Sequence, residues 1–92
     1  MNGAKYIVVY IHSTESLIIF DDKIEHASFV NMLMINQHDV ISAGFVSIYV
    51  DIYNQQTARA WGESIGLRVK ARQIEDTKLL KTMLFGNNTN KA

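Results

Sequence analysis

One five-residue stretch of this sequence has the spacing of a known catalytic motif. Gly62-Glu63-Ser64-Ile65-Gly66 fits the G-x-S-x-G pattern, in which a serine on a sharp strand-to-helix turn acts as a nucleophile. That chemistry needs a strand before the motif, a helix after it and a histidine base later in the chain. All the histidines precede Ser64, and the residues after the motif have the pattern of a strand. We therefore predict that Ser64 is not a nucleophile and that the protein is not an enzyme.

The histidines form no metal-binding pattern either. His12, His26 and His38 show neither the H-x-x-x-H nor the H-E-x-x-H spacing that holds zinc, and the chain has no cysteine. Without thiols there can be no disulfide framework, which favours a reducing compartment. We predict no metal, no cofactor and no catalytic residue.

Four basic residues gather late in the chain and could contact phosphate groups. They are Arg59, Arg68, Lys70 and Arg72. Tyrosines elsewhere could supply the rings on which unpaired bases stack in single-strand binders. However, nine basic and nine acidic residues cancel, so no net charge draws the molecule to nucleic acid. Nucleic-acid binding is therefore the alternative function, and a basic edge strand kept soluble by its charges is the simpler interpretation.

These side chains must be positioned by a hairpin predicted between residues 41 and 69. From Phe45 to Tyr53 side chains alternate between two faces, as they do in a strand. The aliphatic face, which we take as the core, carries Val46, Ile48, Val50 and Ile52. The opposite face carries Phe45, Tyr49 and Tyr53, and polar residues 54–57 form the connecting loop.

The returning strand places small side chains on one parity and Trp61 on the other. The small residues are Ala58, Ala60, Gly62, Ser64 and Gly66. Such a row lets another backbone come close. Two interpretations stay open: a helix of the same chain packs there, or the row allows close approach of a second copy.

The rest of the chain supplies a second hairpin and two helices. Residues 5–12 and 16–20 read as strands around a polar loop at 13–15. Asp22 and Glu25 have capping-box spacing, which predicts a strongly apolar helix over residues 24–37. A last helix begins near Ile74 and ends at Gly86.

The order β-β-α-β-β-α predicts an α+β fold with a four-stranded, mainly antiparallel sheet. We expect both helices to pack on one face of this sheet. Residues 1–86 form the single domain, and residues 87–92 are expected to be a disordered tail.

Four segments, HAS at 26–28, SAGFV at 42–46, GESIGL at 62–67 and IEDTKLL at 74–80, resemble small proteins encoded in bacterial genomes and prophages. The resemblance covers most of the chain from Ile24 onward. It implies a cytoplasmic accessory protein of a bacterium or a phage without a known catalytic role. It assigns no functional residue.

A homodimer is expected, because two helices on one face would leave the aromatic face of the sheet uncovered. Tyrosine suits an interface because it joins a large ring to a polar tip. The residues expected to contact a partner are Tyr6, Tyr10, Phe45, Tyr49, Tyr53 and Trp61. Two routes to the dimer stay open, through this face or through the first helix around Met32 and Met34.

Taken together, these patterns predict a small non-catalytic protein-interaction or regulatory module. Its protein partner is unknown, nucleic acid is the alternative partner, and a small enzyme ranks third. The apolar run between Lys5 and His12 is too short for a membrane span or a signal peptide, so we expect a cytoplasmic protein that does not bind membranes.

Overall fold

The computed structural model describes residues 2–86, and its centre is a four-stranded antiparallel sheet. The sheet has the order β2-β1-β3-β4, with β1 at Asn2–Ile11, β2 at Thr14–Asp21, β3 at Val40–Val50 and β4 at Gln56–Trp61. A short hairpin of β5 (Glu63–Ser64) and β6 (Val69–Lys70) follows, and the helices are α1 (His26–Met32) and α2 (Gln73–Phe85). The predicted α+β class and four-stranded sheet are confirmed. The predicted tail at 87–92 lies outside the described residues.

The first hairpin turns tighter than the sequence suggested. Only His12 and Ser13 separate the strands, and both have positive φ angles, 54° and 62°. Two such residues are typical of a type I′ turn, whose twist matches that of the flanking strands. Pairing starts at once with Ile11 opposite Thr14. The predicted loop at 13–15 is therefore wrong, because Thr14 already belongs to β2.

The helices lie on opposite faces of the sheet, which corrects the prediction that both pack on one face. Leu80 of α2 belongs to a buried cluster with Tyr6 and Val8 of β1. Val30 of α1 belongs to a second cluster, which includes the intervening strand residue Ile7. Neighbouring residues of a strand point to opposite faces, so the protein has two cores with the sheet between them.

The pairing of β1 with β3 explains this error. Tyr6 lies opposite Gly44, and Ile7 lies opposite Ala43. The aromatic side of the first hairpin is therefore continuous with the aliphatic side of the second, the side that carries Val46. Both faces of the sheet become apolar at their centres, and each takes one helix.

Helix α1 is half as long as predicted. Glu25 is its N-cap residue, but no side chain caps the helix, so the predicted capping box does not form. At the other end Met34 has a φ of 58°, and the amide of Ile35 donates to the carbonyl of Val30 at 3.0 Å. The amide of Met34 donates to the carbonyl of Asn31 at 3.1 Å, which completes a Schellman closure.

This closure accounts for the apolar character of residues 29–35. Ile35 packs against the core cluster that contains Val30, and a contact between these two positions usually accompanies the motif. The chain then reaches β3 through a short 3₁₀ turn at Gln37–Asp39. The apolar stretch thus belongs to a short helix and its C-terminal closure, and a longer helix is not needed to explain it.

Helix α2 covers the small residues of β4. Ala58 and Ala60 are buried in the same cluster as Leu80. The hydroxyl of Thr77 accepts a hydrogen bond from the amide of Ala60 at 3.0 Å and lies 3.5 Å from its carbonyl. Of the two interpretations of the small-residue row, packing by a helix of the same chain is the correct one at these positions. Between residues 2 and 86, no helix combines the length and the apolar character needed to cross a membrane.

Candidate functional site

The α1 side of the sheet is covered over only part of its length, and the uncovered part is the candidate site. Helix α1 and the β5–β6 hairpin pack over one end of this side. Beyond them, alternate side chains of β3 and β4 reach the surface. This open face consists of Phe45, Ser47, Tyr49, Thr57, Arg59 and Trp61, which lie in cross-strand pairs.

Trp61 is held in place on the open face by two contacts. Its indole Nε1 donates to the hydroxyl of Ser47 at 2.9 Å, and its ring centre lies 5.1 Å from that of Phe45. The side chain nevertheless remains 37% exposed, and Tyr49 on the same face is 46% exposed. An aromatic ring that is already fixed loses little conformational entropy when a partner covers it. The open face therefore presents a fixed, partly exposed aromatic ring to solvent.

A cavity of about 590 Å³ adjoins the open face, between the start of α1 and the loop after β4. Its wall is formed by Ala27, Phe45, Gly62, Ile65 and Gly66, and its polar lining by Lys5, Glu25, His26, Glu63 and Ser64. Mostly apolar walls with a few polar groups are typical of binding sites. Over the described range 2–86, no three histidine, aspartate or glutamate side chains come close enough to hold a metal ion.

His26 is held in the wall of this cavity. Its Nε2 lies 2.9 Å from the carbonyl oxygen of Gly44, and because a carbonyl only accepts, Nε2 carries the proton. The rings of Phe20 and Phe45 approach it edge-on at 5.4 and 5.9 Å. Burial lowers the pKa of His26, and the positive charge of Lys5 adds to this, whereas the bond to Gly44 opposes it. The imidazole is therefore neutral at pH 7.

The G-x-S-x-G motif lies in this cavity wall but not in the geometry of a nucleophile elbow. Ser64 belongs to β5, and the residues that follow it form a turn, not a helix. Its hydroxyl oxygen accepts from the amide of Leu67 at 3.2 Å. Within the described part of the chain, no hydrogen bond joins Ser64 to His26. The fold brings the two side chains to one cavity, which the sequence motif did not suggest.

The aromatic residues expected to contact a partner do not share one face. Phe45, Tyr49 and Trp61 meet on the open face. The prediction that Tyr6 contacts a partner is wrong, because Tyr6 is fully buried on the α2 side. Tyr10 is half exposed and shares the α2 side with Tyr6, by the alternation along β1. Tyr53 lies outside the sheet in the loop after β3 and is 77% exposed. The shared surface predicted for all six residues is thus reduced to three.

The predicted basic strand is divided among several elements. Arg59 lies on β4 within the open face. Arg68 has a φ of 58° in the turn between β5 and β6, and Lys70 lies on β6 opposite Glu63. Arg72 is the N-cap residue of α2, and its side chain forms ion pairs. These four charges do not line one strand.

A buried polar network explains the position of Arg72, and the sequence did not reveal it. Asp76 is fully buried, and its Oδ2 accepts from the hydroxyl of Tyr6 at 2.6 Å and from the amide of Arg72 at 2.9 Å. The guanidinium of Arg72 donates to Oδ1 from Nε at 3.1 Å and from Nη2 at 2.8 Å, and it also binds both oxygens of Glu15. The spacing of four between Arg72 and Asp76 was the available signal.

The pKa shifts in this network keep each hydrogen-bond donor in its protonated form. Burial raises the pKa of Tyr6, and its hydrogen bond to Asp76 raises it further. The hydrogen bond to Glu15 raises the pKa of Arg72. Tyr6 stays a proton donor and Arg72 stays charged at neutral pH, so the network fastens α2 to β1 and β2.

The chain matches no protein-family model, no curated protein and no solved structure. Its geometry therefore provides the grounds for a functional proposal. The open face and the adjoining cavity are the features to be explained.

Proposed function

We propose that the protein is a non-catalytic interaction module that binds a protein partner through the open face. The observation that carries this proposal is Trp61, an indole fixed by Ser47 and Phe45 yet 37% exposed. Tryptophan, tyrosine and arginine dominate the energetics of protein interfaces. Trp61, Tyr49 and Arg59 supply one of each on the same face of the sheet.

The cavity beside the open face supports a more specific form of this proposal. Ala27, Phe45 and Ile65 give it apolar walls, and its opening adjoins the ring of Phe45. We infer that an apolar side chain of the partner enters it while the main contact forms on Trp61. Glu25 and Glu63 outnumber Lys5 in its lining, which favours a positive charge next to that apolar side chain.

The bonding of the cavity's polar groups supports a non-catalytic role. His26 commits its Nε2 proton to the carbonyl of Gly44, and Ser64 commits a lone pair to the amide of Leu67. A serine nucleophile needs its hydroxyl in contact with a base. The same groups suit a rigid wall that holds a bound side chain in place.

Peptide selection followed by mapping tests the proposal. Peptides selected from a displayed random library against the wild-type protein should perturb the amide signals of β3 and β4 and the indole signal of Trp61. Trp61→Ala should abolish their binding. Tyr10→Ala removes an aromatic side chain of similar exposure from the α2 side and should leave binding intact. Peptides that bind Trp61→Ala as well as they bind the wild type would refute the proposal.

The second candidate function is binding of single-stranded nucleic acid by the same face. The observation that favours it is Arg59 on a sheet surface that also carries Tyr49 and Trp61, since bases stack on such sheet aromatics. Binding of an oligonucleotide that weakens steeply with salt and is lost in Arg59→Ala would favour this candidate. Binding that is independent of salt would argue against it.

A cytoplasmic accessory role in a bacterium or a prophage is also part of the proposal and rests on the sequence resemblance. Self-association is a further part. The expected close approach of a second copy at the small residues of β4 is wrong for Ala58 and Ala60, because α2 covers both.

A further inference from the structure

The two outer edges of the sheet differ in how their backbone groups are satisfied. At the β4 edge, the Thr77 hydroxyl binds the amide of Ala60 at 3.0 Å and lies 3.5 Å from its carbonyl. Covering an edge in this way prevents another strand from adding to it. At the β2 edge, no hydrogen bond from any of residues 2–86 reaches the outward backbone groups of Leu17 and Ile19. The β4 edge is thus blocked at Ala60, whereas the β2 edge is available along its centre.

The tight turn at His12 and Ser13 fixes which groups of β2 point outward. The residues that flank such a turn, Ile11 and Thr14, exchange both hydrogen bonds, and bonded pairs then alternate along the hairpin. The backbone groups of Glu15, Leu17 and Ile19 therefore point away from β1. The same alternation across β1 and β3 turns the amide of Ala60 outward, where Thr77 binds it.

Strand β2 lacks the features that normally protect an edge. It has eight residues, TESLIIFD, with no proline, glycine or lysine. Its pairing with β1 runs without a bulge from Ala4 to Ile11. Its only charges are Glu15 and Asp21 near its ends, and its centre is aliphatic. A long, regular, apolar edge strand is a template for a further strand.

We propose that β2 pairs antiparallel with β2 of a second copy, so that two sheets join into one of eight strands around a two-fold axis. The self-complementarity of the strand identifies the occupant as another copy of this chain. The proposal concerns a surface separate from the open face and is independent of the partner proposed there.

Charge placement selects one register. Outward backbone groups face each other for an axis at any residue of β2, but only an axis at Leu17 or Ile18 keeps seven of its eight residues paired. An axis at Ile18 sets Glu15 opposite Asp21 twice, and like charges directly opposite destabilise a pair. An axis at Ser16 or Ile19 leaves only five residues paired. These three arrangements are therefore disfavoured.

An axis at Leu17 avoids the like-charge pairs and keeps residues 14–20 in register. Glu15 then faces Ile19, and its carboxylate is already held by the guanidinium of Arg72. Leu17 then faces Leu17 of the second copy, Ser16 faces Ile18, and His12 lies in register with Asp22. On the α2 side a groove of about 400 Å³ opens at Leu17 between β2 and α2, with Leu79 and Met83 in its wall. Leu17 of the second copy would lie at the mouth of this groove, where it gains apolar contacts.

Sedimentation equilibrium at micromolar concentration tests the pairing. The wild type should sediment at twice the chain mass of 10.5 kDa. Leu17→Lys sets two positive charges against each other at the axis and should yield the monomer. Ile74→Lys makes the same charge change at an exposed position of α2 and should stay dimeric. A monomeric wild type, or a dimer lost in Tyr49→Asp but kept in Leu17→Lys, would overturn the proposal.

Cross-linking tests the register and does not depend on the folding of Leu17→Lys. The chain has no cysteine, so introduced thiols report only their own contacts. Ser16 and Ile18 of two copies form a close pair in the proposed register, at a separation suited to a disulfide. The variant Ser16→Cys/Ile18→Cys should cross-link on oxidation, and Ile18→Cys alone should not. Cross-linking of Ile18→Cys alone would place the axis at Ile18 and refute the register.

Discussion

Removal of the Tyr6 hydroxyl is the most direct test of how α2 is held to β1. Tyr6→Phe fills the same space and removes only the 2.6 Å bond to the buried carboxylate of Asp76. A hydrogen bond to a charged group contributes about 1.5–3 kcal/mol. Asp76 keeps its bonds from Arg72, so we expect a loss near the lower part of this range, about 2 kcal/mol. For a chain of this size that corresponds to a fall in Tm of about 8–16 °C.

Urea unfolding followed by Trp61 fluorescence and far-ultraviolet circular dichroism measures this loss. The matched control is Tyr53→Phe, which removes the same hydroxyl from a side chain that is 77% exposed and should change stability by less than about 0.5 kcal/mol. A double-mutant cycle with Asp76→Asn should give a coupling energy of about 1 kcal/mol or more. If Tyr6→Phe were no more destabilised than Tyr53→Phe, the network would not hold α2 in place and the reasoning would fail.

Three further predictions concern glycine, helix closure and pH. In Gly44→Ala the new Cβ would overlap the carbonyl oxygen of Trp61 at the end of β4, so urea unfolding should show that the protein is about 1–3 kcal/mol less stable. The control is Gly66→Ala, whose new Cβ makes an ordinary 3.7 Å contact and should leave stability nearly unchanged. Met34→Gly removes the backbone strain of a left-handed residue whose side chain is 92% exposed, so stability should rise by about 0.5–1 kcal/mol in the same assay. An unchanged urea midpoint would contradict this. The pKa of His26 is lower in the folded state than its ordinary 6.5, so the unfolded chain binds more protons and stability falls as pH drops below about 6.5. His26→Gln keeps a donor for Gly44 and should flatten this loss in urea titrations across the pH range, with His38→Gln as control; an unchanged slope would exclude His26 as its source.

The strands of the first hairpin, β3 and the last helix could be located because their signals are local. The predicted returning strand up to Val69 is wrong beyond Trp61, because Gly62, with a φ of 84°, separates β4 from the β5–β6 hairpin. Alternation around Val46 located β3, and Gly86 marked the end of α2. The faces could not be assigned, because the pairing of Tyr6 with Gly44 joins residues far apart in the chain. A shift of that pairing by one residue would have put both helices on one side, and nothing within either hairpin decides between the two registers.

The candidate site was predictable to a similar degree. Phe45, Tyr49 and Trp61 were assigned to a binding surface, and the structure brings them together. The cavity was missed, since His26 reaches it only because α1 begins beside Gly44. The charge of Asp76 suits the first turn of the last helix, and this preference carries no information on burial. Its burial depends on Tyr6, 70 residues away, and no local pattern reports such a partner.

The packing of α2 against β1 also sets the order in which the protein can be completed during synthesis. Leu80 and Asp76 cover Tyr6, so the first strand leaves the ribosome long before the residues that bury it. Until α2 has emerged, one whole face of the nascent sheet and the unprotected edge of β2 are exposed together. Contacts between distant parts of a chain form slowly, and exposed strand edges are where nascent chains associate. The segment that completes the core is therefore also the one whose late arrival leaves the nascent sheet open to aggregation during translation.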